Sequence, residues 1–454
     1  MQKRYSKEGI VGLTGAFISL CCAAGPAAAS YNVYYGHLHN HSTISDGSGT
    51  PAQAYAYARD TAGLDFFSLA DHAEQISSTE WTTMKNTADA YNDDGNFVAL
   101  WGFEWSSNSL YGHVTVTGTS DYCTANDSAT DTFDELVNWL DSRNGLAFFN
   151  HPGREDDTGN EFNHFSSTPS DKFVGIELFN KTADFDTYYY NDGYYSNDGN
   201  KGFYQEALDR GWDIGAAGGD DNHSATWGTD TDYRLAVLAT EKTRAGIMEA
   251  LAARRMFSTL DKNLTLSFTI NDQEMGSEVD AGSYNAVISA GDGDAETFTA
   301  VQLLKNGEVE QTWYPNQSNP VITHSLTVYG GEYYYVKVTQ ADGDEAISSP
   351  IFIVGAACTP TSVHVASVAT STVKDSGANY FGLATVNLED NCFAKVADAD
   401  VTGHFTGDFS SEPQMTETSD ANGDAVFQTG SSAKKPSFGF LVDNVDADGL
   451  TYVP

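Results

Sequence analysis

Short apolar segments that end in a histidine or an acidic residue recur along residues 32–260, and they limit the possible folds more than any other feature. Residues 64–69 run into His72, and residues 146–149 run into His151. Signals for helices alternate with these segments. Repeated strand–helix units favour a parallel α/β sheet, and this many units in succession predict a barrel.

The polar residues at the ends of these segments are of the types that bind divalent cations. The first strand is predicted over residues 33–39, where alternate side chains share a face, so His37 and His39 would point the same way. Imidazoles with carboxylates suit zinc, manganese or iron, and such sites usually catalyse hydrolysis. The nine candidate metal ligands are His37, His39, Asp46, His72, Glu104, His113, His151, Asp221 and His223.

Six motifs resemble, in the same order, those of the polymerase and histidinol phosphatase (PHP) superfamily of metal-dependent phosphoesterases. They are HLHNHSTISDG, SLADHAE, GFEWS, GHVTVTG, FNHPG and GGDDNHS, all within residues 33–260. The resemblance implies an α/β fold, a distorted (β/α)7 barrel that binds two or three divalent metal ions (Zn, Mn or Fe). The export signal and the trailing β-rich region resemble a secreted branch of carbaryl-hydrolase-like enzymes, which includes carbamate and ester hydrolases.

The resemblance also assigns the nine ligands to three metals, with Glu104 shared between two. The first set is His37, His39, Glu104 and Asp221; the second is Glu104, His113 and His151; the third is Asp46, His72 and His223. The spacing from His37 to Asp46 is longer than in many relatives, so His41 is an alternative to Asp46.

The expected reaction is attack by a metal-bound hydroxide on a phosphate mono- or diester. Four residues are the candidate catalytic groups. Glu104 would bridge two metals with its two oxygens, and His113 or His151 would tune the bridging water. Arg154 would bind a phosphate with its bidentate guanidinium, although a surface ion pair is an alternative. Glu177, at the end of another predicted strand, would line the substrate pocket or anchor its loop.

Two other functions are compatible with these motifs. A carboxylester or carbamate hydrolase would use the same metals. A glycan-binding or adhesion protein would carry an inert barrel, and two β-sandwiches and 24 tyrosines fit that alternative. The sequence contains no GxSxG motif and no Cys-His arrangement, so it does not indicate a protein nucleophile.

The composition changes after residue 261 to short alternating strands with Gly, Asp and Asn turns, as in β-sandwiches. We therefore predict a signal peptide at residues 1–29, the barrel at 30–261, an Ig-like β-sandwich at 262–356 and a second small all-β sandwich at 357–454. Cys358 and Cys392 are a candidate disulfide in an exported protein, and Cys123 is then a buried or free thiol.

The N-terminal segment and the net charge indicate where the protein works. Basic residues precede an apolar stretch and an A-x-A sequence at residues 27–29, which is typical of a signal peptide. We expect a periplasmic or secreted protein without a transmembrane segment after cleavage. The formal net charge of −40 repels nucleic-acid phosphates, so the expected partner is a small-molecule ester substrate and not a nucleic acid.

Overall fold

The computed structural model describes residues 31–107, 110–154, 160–180, 193–195, 201–355, 358–375, 377–392 and 394–454. The predicted signal peptide lies outside these residues. The chain divides into two compact units. Unit 1 contains the described residues up to 277 with 285–324 and 333–351, and unit 2 contains 278–284, 325–332 and 352–454.

Unit 1 is built on a sheet of nine strands with helices in the connections between them. The strands are β1 (Asn32–His37), β2 (Phe66–Leu69), β3 (Val98–Ser107), β4 (Gly112–Thr117), β5 (Leu146–Asn150), β6 (Phe173–Asn180), β7 (Gly215–Gly219), β8 (Arg234–Ala239) and β9 (Met256–Thr259). The helices are α1 (Pro51–Asp60), α2 (Ser78–Tyr91), α3 (Phe133–Asp141), α4 (Phe203–Asp209) and α5 (Arg244–Ala252). A short turn of left-handed backbone covers Glu161–Phe165.

The nine strands lie in the order β9-β8-β1-β2-β3-β4-β5-β6-β7. Strands β1 to β3 are parallel to one another, and so are β5 to β7. Strand β4 runs antiparallel to β3 and β5, and β8 runs antiparallel to β1 and β9. The expectation of a regular series of parallel βα units is therefore wrong at β4 and β8. Only residues 108–111 separate β3 from β4, too few for the crossover that a parallel pair requires. The described chain is rich in strands, in several sheets, with few helices.

The helices begin where the sequence supplies caps. Thr50, Ser77 and Thr132 each accept a hydrogen bond from the backbone three residues on, and each forms a capping box. Apolar side chains from β1, β2, β3, β5, β8 and α5 then pack into one buried cluster beneath the strand ends. Phe149, two residues before His151 in the chain, packs in an aromatic cluster with Phe162 at a centroid distance of 4.8 Å.

Further strands follow the nine-stranded sheet in the chain. They are β10 (Thr265–Ile270), β11 (Gln273–Glu274), β12 (Glu278–Asp280), β13 (Gly282–Gly291), β14 (Phe298–Lys305), β15 (Glu308–Trp313), β16 (Val321–Val328), β17 (Tyr333–Gln340), β18 (Glu345–Ser348) and β19 (Ile351–Val354). Within unit 1, β18 hydrogen-bonds antiparallel to β9, and β17 and β14 follow it. Strands of the predicted Ig-like segment therefore continue the sheet that carries the candidate ligands. The predicted boundaries at 262 and 357 stay predictions.

Unit 2 contains two further sheets that share an apolar core. Its strands beyond β19 are β20 (Ser362–Lys374), β21 (Asn379–Asp390), β22 (Asp400–Phe405), β23 (Met415–Thr418), β24 (Asp424–Lys434), β25 (Phe440–Asp446) and β26 (Thr451–Tyr452). They form the sheets β24-β21-β20-β26 and β23-β22-β25. Val386 and Phe427 of the first sheet and Phe405 of the second belong to one buried cluster.

The cysteines behave as predicted. Cys358 and Cys392 form a disulfide in unit 2, and Cys123 is a buried free thiol. Burial raises the pKa of the Cys123 thiol to about 12. None of the described helices combines the length and the apolar character that crossing a membrane requires.

Replacing both Cys358 and Cys392 by serine should lower the free energy of unfolding of unit 2 by about 2–4 kcal/mol. The bond closes a loop over a sequence separation of 34 residues, and its loss gives the unfolded chain more freedom. Denaturant unfolding of the double variant and of the reduced wild-type protein measures this. Equal stability of the oxidised wild type and the double variant would contradict the prediction.

Candidate metal centre

Histidines and acidic residues from distant parts of unit 1 converge into four overlapping groups. The ligand atoms within each group lie within 4.8 Å of one another. The groups are His41, Asp46, His72 and His223; His39, His151 and Asp221; His39, His41 and Glu104; and His72, Glu104 and His113. Eight of the nine candidate ligands therefore come together, and His41 joins them.

The sheet brings these residues together through its register. Beyond the end of β2 the chain still pairs with β3, so that His72 forms a parallel bridge with Glu104. Beyond β1 and β7, Asn40 forms a similar bridge with Asn222. Because parallel strands end at the same edge of the sheet, residues that follow them meet there.

Glu104 lies at the centre of the cluster. This fully buried carboxylate has one oxygen, Oε1, at 3.0 Å from His39 Nε2 and 3.1 Å from His113 Nδ1. The other oxygen, Oε2, lies 2.7 Å from His72 Nδ1. The Asn150 amide donates to Oε1 at 2.8 Å and fixes the carboxylate. Each oxygen thus faces different imidazoles, which is the arrangement expected of a carboxylate that bridges two cations.

Asp221 and two histidines form the deepest part of the cluster. Asp221 Oδ1 lies 3.1 Å from His39 Nε2 and 2.9 Å from His41 Nε2. His41 Nε2 and Asp221 Oδ1 are buried, yet neither makes a hydrogen bond of acceptable geometry with a described residue. Buried polar atoms without partners are costly, and a shared cation would satisfy both. The donor set of imidazoles and carboxylates therefore fits divalent zinc, manganese or iron.

The outer part of the cluster is open to solvent. Half of the Asp46 side chain is exposed, and its oxygens lie 3.4 Å from His223 Nε2 and 3.6 Å from His72 Nε2. The ring of His223 stacks on that of His41 with centroids 4.0 Å apart. The cluster therefore faces solvent on the side of Asp46.

His37 lies outside all four groups. Its Nε2 is 3.4 Å from Arg234 Nη1, and burial together with this guanidinium holds the pKa of His37 well below its usual value. Strand β1 ends at His37, two residues earlier than predicted, so the pair that reaches past the strand end is His39 and His41. The chain contains two overlapping His-x-His patterns, and the structure gathers the second. His41 accompanies Asp46 in the cluster and does not replace it.

The carboxylates of the cluster hold several imidazoles in their charged form. Burial alone opposes charge on His72, but Glu104 raises its pKa to about 9. Burial likewise opposes charge on His223, and the hydrogen bond with Asp46 raises its pKa to about 9. His39 is also buried, and its carboxylate neighbours raise its pKa well above the usual value. Protons on these rings thus compensate the carboxylates of the metal-free protein.

The pKa values of other members of the cluster are lowered. Burial lowers the pKa of His41, and it lowers that of His151 to about 4. Burial would raise the pKa values of Glu104 and Asp221, but the surrounding imidazoles keep both well below their usual range. Neutral imidazoles beside ionised carboxylates are the protonation states that bind metals.

Two acidic side chains support the candidate ligands: Glu177, which sequence reasoning singled out, and Asp71, which it did not. Asp71 accepts hydrogen bonds from the backbone and hydroxyl groups of both Ser42 and Ser45, which fixes the loop after His41. Glu177 contacts His39 Nδ1 at 3.0 Å, so it anchors the site. The only sequence feature that indicated a supporting role for Asp71 was its position between a predicted strand and His72.

Arg154 lies at the edge of the cluster. Its Nη1 is 3.5 Å from His151 Nε2, and the side chain is partly buried. Two of the candidate ligands have left-handed backbone, since His151 has φ 26° and Asp221 has φ 45°. Non-glycine residues adopt such values at a cost.

Comparisons with known proteins give limited further information. The family described as a protein of unknown function (DUF3604) matches residues 63–116. An uncharacterized protein of Chlamydia pneumoniae is 26% identical over 366 residues, covering 72% of this chain, and one of Chlamydia muridarum is 23% identical over 384 residues, covering 71%. The chain spans 58% of the length of each of these relatives.

One solved structure is similar over much of the chain. It is a two-domain protein from Bacteroides vulgatus, described as containing a predicted PHP-like metal-dependent phosphoesterase. It is 17% identical, with a TM-score of 0.39, and the match covers 71% of this chain and 96% of that one.

Replacing His41 by alanine should reduce the divalent metal bound to the protein, whereas His37→Asn should retain it. His41 contributes to two of the four groups, and His37 contributes to none. The His37 variant should lose only about 1–3 kcal/mol of stability, since Arg234 keeps its backbone partners. Elemental analysis of both folded variants measures the difference. A His37 variant that loses as much metal as the His41 variant would refute this placement.

The metal-free protein should become less stable as the pH rises from about 6.5, the ordinary imidazole value, through the folded-state value of about 9 for His72 and His223. A pKa that is higher in the folded state stabilises the protein below the unfolded value, and this contribution disappears above the folded one. Added zinc should reverse the loss, because cations bind deprotonated imidazoles. Unfolding temperatures measured with EDTA and with zinc test this. Exposed His404 in unit 2, replaced by glutamine, is the control.

Proposed function

We propose that this chain is a metal-dependent hydrolase, and more specifically a phosphoesterase that cleaves phosphate mono- or diesters. One observation carries the proposal: imidazoles and carboxylates from six separate stretches of chain, including that of buried Glu104, converge in one cluster with an opening at exposed Asp46. So many ionisable groups are costly to bury without cations, and as a set they suit hydrolytic metal centres.

The four groups define which residues would hold two or three divalent ions. Glu104 would be shared between the group that contains His39 and His41 and the group that contains His72 and His113. Bound cations would supply Lewis-acid stabilisation of negative charge and a lowered pKa for water. Asp46 and His223 form the part nearest to solvent, where a substrate would enter.

Arg154 favours a phosphoester over a carboxylester as the substrate. Its guanidinium lies at the edge of the cluster, beside His151. A guanidinium matches the geometry of phosphate oxygens and forms paired hydrogen bonds with them. A carboxylester develops a single negative oxygen and needs no such additional cation. We therefore propose that Arg154 binds the phosphoryl group.

We further propose that the nine-stranded sheet closes into a distorted barrel. The two ends of the strand order approach one another, since a Cβ built on Gly215 of β7 would lie 2.7 Å from Met256 Cε of β9. A Cβ on Gly218 would lie 3.1 Å from Ser258 Oγ, again between β7 and β9. Closure would place the ends of β1, β3, β5 and β7 around one centre, as the ligand groups require.

We also propose that the protein works outside the cytoplasm on a small-molecule ester. The disulfide between Cys358 and Cys392 supports export, because such bonds persist in oxidising compartments. The formal net charge of −40 argues against nucleic acid as a partner.

Metal-loaded protein should hydrolyse p-nitrophenyl phosphate or its bis-ester faster than p-nitrophenyl acetate. Asp221→Asn should lower that activity by at least ~100-fold, since loss of a ligand should exceed the effect of losing a group that merely orients one. Arg154→Ala should lower kcat/KM for the phosphoester by about 10- to 100-fold, the value of a hydrogen bond to a charged group.

The acetate ester is the internal control for Arg154. Its hydrolysis should be unchanged in the Arg154 variant, because its reaction does not involve a phosphoryl group. Preferential cleavage of the acetate would favour the carboxylester alternative. Binding of polysaccharide by metal-loaded protein that cleaves no ester would contradict the hydrolase proposal altogether.

A further inference from the structure

We infer that Glu177 is a positioning residue that determines which nitrogen of His39 carries a proton and holds the backbone of His151 in place. The inference rests on the proposed function, because it concerns how this chain presents its ligands to cations. Glu177 lies on β6. Neither Glu177 nor any other residue of that strand belongs to the four ligand groups.

The two nitrogens of His39 face different partners. Nε2 points towards Glu104 at 3.0 Å and Asp221 at 3.1 Å, and Nδ1 lies 3.0 Å from Glu177 Oε1. An ionised carboxylate only accepts hydrogen bonds, so Nδ1 must carry the proton of a neutral ring. The lone pair is then on Nε2, directed to the centre of the cluster. Carboxylates that orient metal-binding imidazoles act in this way.

The second oxygen of Glu177 holds a different ligand. The backbone N–H of His151 donates to Oε2 at 2.8 Å. His151 has φ 26°, a conformation that a non-glycine residue keeps only when its surroundings impose it. One carboxylate thus supports two ligands, one that follows β1 and one that follows β5.

The pocket around Glu177 is shaped for a carboxylate. Asn180 Nδ2 also donates to Oε2, at 2.7 Å, so three donors converge on the two oxygens. Gly219 provides the space, because a Cβ at that position would lie 2.0 Å from Glu177 Oε1. This explains the glycine two residues before Asp221 in the GGDD sequence. Two of the three donors belong to the candidate ligands His39 and His151, which ties the carboxylate to the centre.

Glu177→Gln should weaken zinc binding by about 10- to 100-fold, the usual effect of losing a carboxylate that orients a ligand. An amide offers one oxygen where three donors converge, so its NH2 must face a donor. If the NH2 faces His39, the ring proton moves to Nε2 and that nitrogen can no longer bind a metal. Competition with a chromogenic chelator measures the zinc affinity of the full chain.

Glu274→Gln is the matched control. Glu274 on β11 is also a largely buried carboxylate with three donors, from Ser267 Oγ, Phe268 N and Met275 N. It belongs to none of the ligand groups, so its amide variant should bind zinc like the wild type. Equal weakening in both variants would attribute the effect to general destabilisation and overturn the inference.

A second readout detects the tautomer itself. In zinc-loaded wild type and Glu274→Gln, the ¹⁵N spectrum should show His39 protonated at Nδ1, and Glu177→Gln should change this signal. Glu177→Asp should recover part of the affinity, because it restores an acceptor-only group. Gly219→Ala should weaken zinc binding as well by displacing the carboxylate, and it tests the inference if Glu177→Gln fails to fold.

The outcomes separate this inference from the proposed function. Unchanged zinc affinity and an unchanged His39 signal in both Glu177→Gln and Gly219→Ala would overturn the positioning role. Wild-type protein that binds zinc but cleaves no ester would contradict the proposed function, and the role of Glu177 in zinc binding would stand. Wild-type protein that binds no zinc would overturn both.

Discussion

The charge of Glu104 is the constraint on which the rest of the site depends. A fully buried carboxylate is very unfavourable without compensating charge and hydrogen bonds. Here the compensation comes from imidazoles that follow or belong to β1, β2 and β4, each on a separate stretch of chain. The carboxylate therefore links the site to the strand order of the whole sheet. A strand displaced by one residue would turn its imidazole away and leave the charge buried alone.

The loops that carry the ligands are fixed by groups that bind no metal. Four hydrogen bonds to Asp71 hold the segment from Ser42 to Ser45. Arg234 donates to the carbonyls of Gly228, Thr231 and Tyr233, which closes the loop after His223. The bonds to Asp71 join residues 26 and 29 positions apart, whereas the partners of Arg234 lie within six residues of it.

Much of this centre was predictable because an apolar run marks a strand and its end marks a ligand. This rule located His72, His151 and Asp221, which follow the ends of β2, β5 and β7 by one to three residues. The rule was wrong at β1, where it predicted a strand two residues too long. No turn residue just before Asn40 marks the point at which this strand ends. A shift of two residues preserves the face of a strand, so the alternation that revealed the histidines could not correct the error. The structure therefore exchanges His37 for His41.

The remaining differences arise from information that local patterns do not contain. The short connection after β3 indicates that β4 runs antiparallel to it. The pairing of β18 with β9, in contrast, joins residues about ninety positions apart. Glu177 shows the same limit: its place at the end of an apolar strand suggested either a pocket wall or an anchor. The contact with His39, which follows a strand far earlier in the chain, places Glu177 beside a candidate ligand, and no local pattern could show this.

Hydrogen bonds within the protein hold the backbone of the centre. His151 and Asp221 both have positive φ, and each is held by a hydrogen bond within the protein: His151 N–H donates to Glu177, and His223 Nδ1–H donates to the carbonyl of Asp221. Because protein groups maintain these strained conformations, cation binding need not reorganise the loops. The bond from His223 Nδ1 also sets the orientation of its ring, since the nitrogen that donates cannot be the one that binds a metal. Strain, tautomer and ligand geometry are thus fixed together by contacts that the sheet creates.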